Sequence, residues 1–477
     1  MDPLGERATA DEALERVARA ARAYVERLEA EPARRPDADA AAARFGGGLP
    51  EEGDGALAAV EELLAGIDGA VRSSGPRMFH FVTGGTTPPA LAADWLASTL
   101  DQNAAMWVSS PLASRLEALA VDWLKELFRL PADWEGVLTT GATMANFTGL
   151  AAARQWWAES HGVDLDERGF AGLPEAPVLS GGYIHVSARK ALAMLGLGRS
   201  TVRTFSRDEA GRVDLDAMEA ALGELGGAPA IVIANAGEVN SGDFDPIEAL
   251  ADLAERHGCW LHVDGAFGLF ARATPRGDAL SAGIERADSV ISDGHKWLNV
   301  PYDCGFAFVR EPGRLVRAFG ARAAYLAAAE PERPNFYERA PEASRRARSL
   351  AVWATLRAYG RAGHRAMIER HLDLAQRLRS RVEEEADLEL LAPVPLNVVF
   401  FRHRPPGMPV ERLDEHNRRL GEAVLADGRV MMGTTVHDGR VGFRPAIVNW
   451  LTTEPDVDAI VDVVRELAAT GGGAPIQ

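Results

Sequence analysis

The chain has 477 residues, more than one simple hydrophobic core accommodates, so we expect two or three domains. Its composition is typical of a globular protein, and its formal net charge of −18 argues against nucleic acid or an anionic membrane as a partner, because both require a basic face. The two cysteines, Cys259 and Cys304, lie in apolar, strand-like contexts, which indicates neither a disulfide framework nor a metal cluster.

The N-terminal region has the pattern of an amphipathic helix followed by a linker. Apolar residues recur at helical spacing over residues 11–30, and a lone helix cannot bury such a face on itself, so we expect it to dock on another domain or another subunit. Residues 31–55, rich in Pro, Ala, Asp and Gly, are typical of a linker. The chain starts without a signal-peptide pattern and has no run of 18 apolar residues, so we expect a cytoplasmic protein without a membrane partner.

A second helix, over residues 56–71, leads into a segment that is aromatic and then rich in glycine, residues 76–89. Glycines let a backbone approach a ligand closely, and the apolar side chains here are suited to the wall of a pocket. A plain turn before the helix predicted at residues 90–102 is the alternative. We name Phe81, Val82 and Thr83 as candidate substrate-binding residues.

From Val137 onward, short apolar strands alternate with helices. Residues 137–143 run through a turn of small residues into a helix. The free N–H groups at the start of this helix and the Thr143 hydroxyl suit a phosphate. The alternative is that Thr143 is an ordinary N-cap. Further strands are predicted at residues 177–180, 184–186, 228–234, 260–263, 289–292 and 305–309. This alternation predicts an α/β fold with a mostly parallel sheet. In such folds the site lies beyond the carboxyl ends of the strands, and Ala142, Asp264 and Lys296 are all at such ends.

Lys296 follows an apolar strand and precedes Trp297 and Leu298. Loss of water disfavours the charged form of a lysine, and a neutral amine is a nucleophile toward carbonyl groups. An ordinary lysine at a helix start, with its head in solvent, is the alternative.

The C-terminal third has the pattern of a separate α+β lobe. Residues 310–349 lose periodicity and resemble a lid. Helices are predicted at residues 349–384, 409–427 and 454–469, and strands at residues 397–402, 429–432 and 441–448. We therefore divide the chain into an N-terminal helical segment, 1–85, a large domain, 86–345, and a small C-terminal domain, 346–477.

Four motifs occur in a specific order: Thr-Gly-Ala-Thr-Met-Ala-Asn ending at Asn146, His185 in Ile-His-Val-Ser, His-Val-Asp-Gly-Ala ending at Ala266, and His-Lys-Trp-Leu beginning at His295. With them the chain resembles the group II pyridoxal-5′-phosphate-dependent amino-acid decarboxylases, the family of aromatic-L-amino-acid and glutamate decarboxylases. The resemblance runs from about residue 76 to the C-terminus. It implies fold type I with a seven-stranded type of sheet, and a homodimer whose N-terminal segment wraps the partner, with the active site at or near the subunit interface.

The resemblance also implies roles for the cofactor-binding residues. Lys296 is expected to bind the pyridoxal 5′-phosphate aldehyde covalently, and the Asp264 carboxylate to keep the pyridine nitrogen protonated so that the ring accepts electrons from Cα. His185 is expected to stack on one face of the ring and Ala266 to cover the other.

The phosphate is expected to be held by Ala142, Thr143 and His295. The family usually has Gly-Thr-Thr where this chain has Gly-Glu238-Val239, and often an asparagine at the position of Asp293.

A residue of the predicted lid decides the reaction in the resembling enzymes, where a tyrosine protonates Cα and a phenylalanine is associated with aldehyde formation. Phe336 and Tyr337 are adjacent here, and counting back without gaps from Arg348 favours Phe336, whereas a one-residue shift favours Tyr337. We take Tyr337 as the general acid, since loop lengths vary readily. Arg444 is either a carboxylate-binding residue or part of a structural ion pair.

The sequence thus predicts a decarboxylase that converts an L-amino acid into its amine and carbon dioxide. An aromatic or apolar substrate is favoured because residues 79–87 include no arginine or lysine to pair with a side-chain carboxylate. The alternatives are an aldehyde synthase or an aminotransferase on the same scaffold and, more remotely, a non-catalytic protein that binds the cofactor.

Overall fold

The computed structural model describes residues 2–320, 330 and 332–471. The helices of this part of the chain are α1 Ala10–Arg27, α2 Ala38–Ala42, α3 Ala56–Ala65, α4 Pro88–Leu100, α5 Pro111–Leu127, α6 Ala142–Ser160, α7 Leu165–Arg168, α8 Val186–Met194, α9 Leu215–Glu224, α10 Ile247–His257, α11 Arg314–Phe319, α12 Ser349–Glu384, α13 Val410–Asp427 and α14 Glu454–Ala469. None of the described helices combines the length and the apolar character needed to cross a bilayer.

The strands form two sheets. Those of the large sheet are β1 Glu135–Thr139, β2 Val178–Ser180, β3 Val202–Thr204, β4 Ile231–Asn235, β5 Trp260–Asp264, β6 Ser289–Asp293 and β7 Gly305–Val309. Their order is β1-β7-β6-β5-β4-β2-β3, and only β7 runs antiparallel to its neighbours. Because β1 and β6 both run antiparallel to β7, the carboxyl ends of β1, β4, β5 and β6 lie at one edge of the sheet. The predicted mostly parallel sheet is confirmed.

Helices cover both faces of this sheet, and apolar side chains pack on each side of it in separate clusters. Strands β4 to β7 are buried along their whole length, as continuous apolar runs of a two-sided core require. Helix α6 approaches β5 very closely, because a Cβ on Gly149 would lie 2.9 Å from the His262 ring. The small residues of this helix therefore set its distance from the sheet.

The small sheet contains β8 Leu388–Leu390, β9 Phe401–His403, β10 Thr434–His437 and β11 Arg440–Phe443, all antiparallel in the order β10-β11-β9-β8. It packs with α13, α14 and the C-terminal half of α12, which is interrupted at Gly360 by a left-handed φ of 56°. The separate α+β lobe is present as predicted. The domain boundaries at residues 85 and 345 stay predictions.

The segment before residue 85 is joined to this small domain. The Phe79 N–H donates to the Met431 carbonyl at 2.9 Å, and the Ala446 N–H donates to the Phe79 carbonyl at 3.0 Å. The Asn449 side chain donates to the Gly75 carbonyl at 3.0 Å, and the Thr452 hydroxyl to the Pro76 carbonyl at 2.7 Å. Hydrogen bonds thus join residues 75–79 to residues 431–452 of the small domain.

Some predicted strands are wrong. Residues 184–186 do not form a strand: His185 is the N-cap of α8, with its ring accepting the Ser187 N–H, and Val186 begins the helix. A short apolar run does not distinguish a strand from the start of a helix. The strand predicted at residues 429–432 is instead a bend followed by an isolated bridge between Met431 and Met78. Strands β3 and β8, three residues each, were missed because they are too short to show a period.

Candidate active site

The four sequence motifs meet at the carboxyl edge of the large sheet. They surround a cavity of about 300 Å³, a size suited to a small cofactor. The residues that line it come from the start of α6, the start of α8 and the ends of β5 and β6; they are Thr140, Gly141, Ala142, Thr143, Met144, His185, Ser187, Ala266, Asp293, His295, Lys296 and Tyr302. Six of the predicted cofactor-binding residues are among them, and Asp264 lies just behind the wall, two residues before Ala266.

Lys296 lies in the turn between β6 and β7, with its side chain only 17% exposed. It is therefore not a lysine with its head in open solvent. Its ammonium group pairs with Asp293 Oδ2 at 2.9 Å, and with Phe267 it forms a longer cation–π contact of 5.9 Å. Gly84 packs against the Lys296 carbonyl so tightly that a Cβ there would lie 1.6 Å from the oxygen. The backbone of the lysine is thus packed closely against residue 84, and its side chain is held by Asp293.

Asp264 ends a directed chain of buried hydrogen bonds. The Asn146 side-chain amide donates to Asp264 Oδ2 at 2.9 Å, so its carbonyl oxygen must accept from His262 Nε2, which lies 2.8 Å away. His262 Nδ1 then accepts from the Ser289 hydroxyl at 2.7 Å. Burial lowers the pKa of His262 to about 4, so the neutral imidazole that this pattern requires is the stable form at neutral pH. The Ala266 N–H donates to the other oxygen, Asp264 Oδ1, at 3.2 Å.

The start of α6 forms another part of the cavity wall. Gly141 has a φ of 139°, and a Cβ there would lie 2.9 Å from the His295 ring. His295 Nδ1 accepts the Cys304 N–H at 3.2 Å, and the His295 ring stacks on Tyr302 at 4.2 Å between centroids. Burial lowers the pKa of His295, with Asp293 opposing the shift, so we expect Nε2 to carry the proton of a neutral ring.

His185 is fixed by its capping role. Its Nδ1 lies 3.2 Å from the Ser187 N–H and 2.7 Å from the Ser187 hydroxyl. Burial lowers the pKa of His185, Lys296 adds to the shift, and Asp264 opposes it. The ring is therefore mainly neutral at neutral pH and held in one orientation at the cavity wall, beside the small side chain of Ala266.

The other predicted site residues do not line this cavity. Val82 is buried in the core of the large domain, Phe81 is 63% exposed, and Thr83 reaches the site only through a contact of 3.4 Å between its hydroxyl and that of Tyr302. Tyr337 is 7% exposed and donates from its hydroxyl to Glu338 at 3.2 Å.

Among the residues that sequence reasoning did not name as site residues, three make side-chain contacts with the predicted ones. Asn146 closes the first motif one helical turn after Ala142, a spacing that places both on one side of α6. Tyr302 follows Lys296 in a stretch without periodicity, so the sequence carries no signal for it. Asp293 was noted only as a departure from the family, yet it is the ion-pair partner of Lys296.

The residues present fit pyridoxal phosphate: an amine for its aldehyde, the open start of a helix for its phosphate, and a buried carboxylate behind the cavity wall for its ring nitrogen. The model of the pyridoxal-dependent decarboxylase conserved domain matches residues 47–404. The chain belongs to this family. The protein is accordingly a fold type I carboxy-lyase that uses pyridoxal 5′-phosphate to decarboxylate an amino acid.

Relatives in the family differ in substrate. The chain is 31% identical to an aromatic-L-amino-acid decarboxylase of Bacillus atrophaeus over 400 residues, 82% of this chain and 81% of the relative. It is 32% identical to an L-2,4-diaminobutyrate decarboxylase of Rhizobium meliloti over 430 residues, 88% and 83% of the two chains. Among solved structures it is similar to Oryza sativa TDC with PLP and tryptamine, with a TM-score of 0.89 and 25% identity over 98% of this chain and 99% of that one.

Proposed function

We propose that the protein decarboxylates an aromatic or apolar L-amino acid. The observation that carries this proposal is the surface formed by His80 and Phe81. Their ring centroids lie 3.6 Å apart, and the Phe81 ring is largely exposed. Burial, with a further contribution from the nearby Arg444 guanidinium, lowers the pKa of His80 to about 4, so the His80 ring is neutral at neutral pH. This surface suits an aromatic side chain better than a carboxylate.

The backbone supports a binding role for this segment. Phe81 and Val82 have φ values of 55° and 59°, a region that bulky residues rarely adopt. Such a conformation costs on the order of 1–3 kcal/mol per residue and persists only where the surroundings impose it, which is typical of ligand-binding segments. The same segment continues into Gly84, which packs tightly on the Lys296 carbonyl. We therefore keep Phe81, Val82 and Thr83 as the proposed substrate-side residues.

When bound, the cofactor supplies the electron sink for the bond that loses carbon dioxide. We propose that Lys296 holds it covalently and that Asp264, fixed by Asn146, keeps a proton on the ring nitrogen. His185 and Ala266 enclose the ring, and His185 excludes water from the reacting carbon.

The start of α6, with Ala142 and Thr143, and the Nε2–H of His295 hold the phosphate. Tyr337 remains our proposed proton donor to Cα. Its hydroxyl donates to Glu338, so this role requires either a rearrangement of the segment or a second subunit into whose cavity it reaches.

A homodimer is part of the proposal. The apolar face of α1 packs only partly on α3, and Leu14 on this face stays 63% exposed in the single chain. A second copy of the chain that covers this face would bury it, as the expected wrapping of the N-terminal segment requires. The cytoplasmic location expected from the sequence stays a prediction.

The test is a panel of the common L-amino acids with carbon dioxide, amine, aldehyde and ammonia all measured. We expect carbon dioxide and amine in equal amounts from an aromatic or apolar substrate, and none from Lys296→Ala. Preferred turnover of L-2,4-diaminobutyrate would contradict the substrate, whereas aldehyde and ammonia would point to the aldehyde synthase alternative, which the adjacent Phe336 keeps open.

The proton donor is tested separately. Tyr337→Phe is expected to shift the product from amine toward aldehyde, with Tyr359→Phe, a change on α12, as the matched control. Unchanged amine output from Tyr337→Phe would refute the role of this tyrosine.

A further inference from the structure

Asp293 is a second buried acid of the site beside Asp264, and its position is unexpected for a cofactor that carries a phosphate. It is the last residue of β6 and is 2% exposed. Its Oδ1 accepts the Ala142 N–H, the first of α6, at 2.5 Å, and its Oδ2 pairs with the Lys296 ammonium at 2.9 Å. The carboxylate thus engages both groups that the cofactor needs, one at its phosphate and one at its aldehyde.

The start of a helix attracts negative charge because its first N–H groups have no partner within the helix and the helix dipole is positive there. In this protein Asp293 already supplies one negative charge at that place. A phosphate bound at the start of α6 adds about two more within a few ångströms, in a site with little water to screen them. The groups that face the charge of Asp293 are the Lys296 ammonium, the start of α6 and, at 3.6 Å, His295 Nε2. Lys296 is also the residue that would bind the cofactor aldehyde, so its ammonium group is not free to serve Asp293 alone.

We propose that Asp293 competes with the cofactor phosphate for the start of α6, so that it weakens cofactor binding and speeds cofactor release. The proposal rests on the cofactor, not on the proposed substrate. An asparagine has the same shape and accepts the Ala142 N–H through its carbonyl oxygen, but it carries no charge. Asp293→Asn is therefore expected to bind pyridoxal phosphate at least about tenfold more tightly and to release it more slowly.

The experiment titrates the cofactor-free protein with pyridoxal phosphate and, separately, with pyridoxal, which lacks the phosphate. Binding is followed by absorbance, and release by the rate at which a trapping enzyme removes freed cofactor. The matched control is Asp303→Asn, which removes an acid near the site whose carboxylate pairs with Arg348 and does not contact Ala142 or Lys296. Neither measurement involves a substrate, so failure of the proposed substrate leaves the result unaffected.

Tighter binding of pyridoxal phosphate by Asp293→Asn, with pyridoxal binding unchanged, supports competition with the phosphate. An equal gain for both compounds overturns it, because Asp293 would then act through Lys296 alone. Unchanged or weaker binding of pyridoxal phosphate also overturns it. If Asp293→Asn does not fold, as judged by circular dichroism, Asp293→Ser removes the same charge and is judged by the same outcomes.

Discussion

Replacing Asn146 with leucine tests whether the buried chain of hydrogen bonds fixes Asp264. Leucine is similar in size but can neither donate to Asp264 nor accept from His262. The change leaves a buried N–H of His262 without a partner, which costs about 1–3 kcal/mol, and removes a bond to a carboxylate, which contributes about 1.5–3 kcal/mol. We expect Asn146→Leu to lower the free energy of unfolding by about 3–5 kcal/mol.

The same change is expected to weaken cofactor binding. The Asp264 carboxylate loses the donor that orients Oδ2, so its proposed contact with the cofactor ring is no longer fixed. A loss of about 1.4 kcal/mol corresponds to a tenfold weaker dissociation constant, and we expect at least that. Denaturant unfolding of the cofactor-free protein and titration with pyridoxal phosphate measure the two effects separately.

Asn417→Leu is the matched control, because Asn417 is equally buried and makes three hydrogen bonds in the small domain, away from the cavity. It is expected to cost a similar free energy of unfolding without changing cofactor affinity. The reasoning is refuted if both variants lose cofactor affinity equally, or if Asn146→Leu costs less than about 1 kcal/mol.

Two further predictions concern packing and pH. Gly84→Ala places a Cβ against the Lys296 carbonyl, so we expect a loss of about 2–3 kcal/mol in unfolding free energy and weaker cofactor binding. Gly46→Ala, which meets no atom within 4 Å, is expected to leave both unchanged, and equal behaviour of the two variants would contradict the packing argument. The pKa of His262 is about 4 in the folded protein and about 6.5 in the unfolded chain. This difference contributes about 3 kcal/mol to the free energy of unfolding, which is complete above pH 6.5 and is lost as the pH falls toward 4. Burial raises the pKa of Asp245 to about 6, so protonation of this carboxyl stabilises the fold as the pH falls, which is the opposite of the effect of His262. Between pH 7 and 4.5, the free energy of unfolding measured with denaturant should therefore fall less for His262→Asn than for the unaltered protein, and more for Asp245→Asn.

The sequence predicted the location of the site because periodicity and topology together determine it. Strands that alternate with helices must run mostly parallel, and their carboxyl ends must meet at one edge, which brings Ala142 and Lys296 to one cavity and Asp264 to its wall. Side-chain pairing was less predictable. Lys296 pairs with Asp293, three residues before it, because the turn after β6 folds the lysine back, whereas Asp264 faces Asn146 on the neighbouring helix.

The position of the proposed proton donor could not be predicted from local pattern. Phe336 and Tyr337 lie in a segment without periodicity, and both of their N–H groups contact the Ala105 carbonyl. Their place is therefore set by packing against a distant loop. His185 shows the same limit on a smaller scale, because its three-residue apolar surroundings suit a strand as well as the helix start that the chain forms.

The hydrogen bonds that join residues 75–79 to the small domain bear on how the protein is made. The Gly75 carbonyl receives its hydrogen bond from Asn449, 374 residues later, and the Pro76 carbonyl from Thr452, 376 residues later. The segment that supports Lys296 therefore emerges early from the ribosome but acquires its partners only when translation is nearly complete. A nascent chain can form the large sheet before that point, but it cannot close the wall of the cavity, so cofactor loading is expected to follow synthesis and not to accompany it.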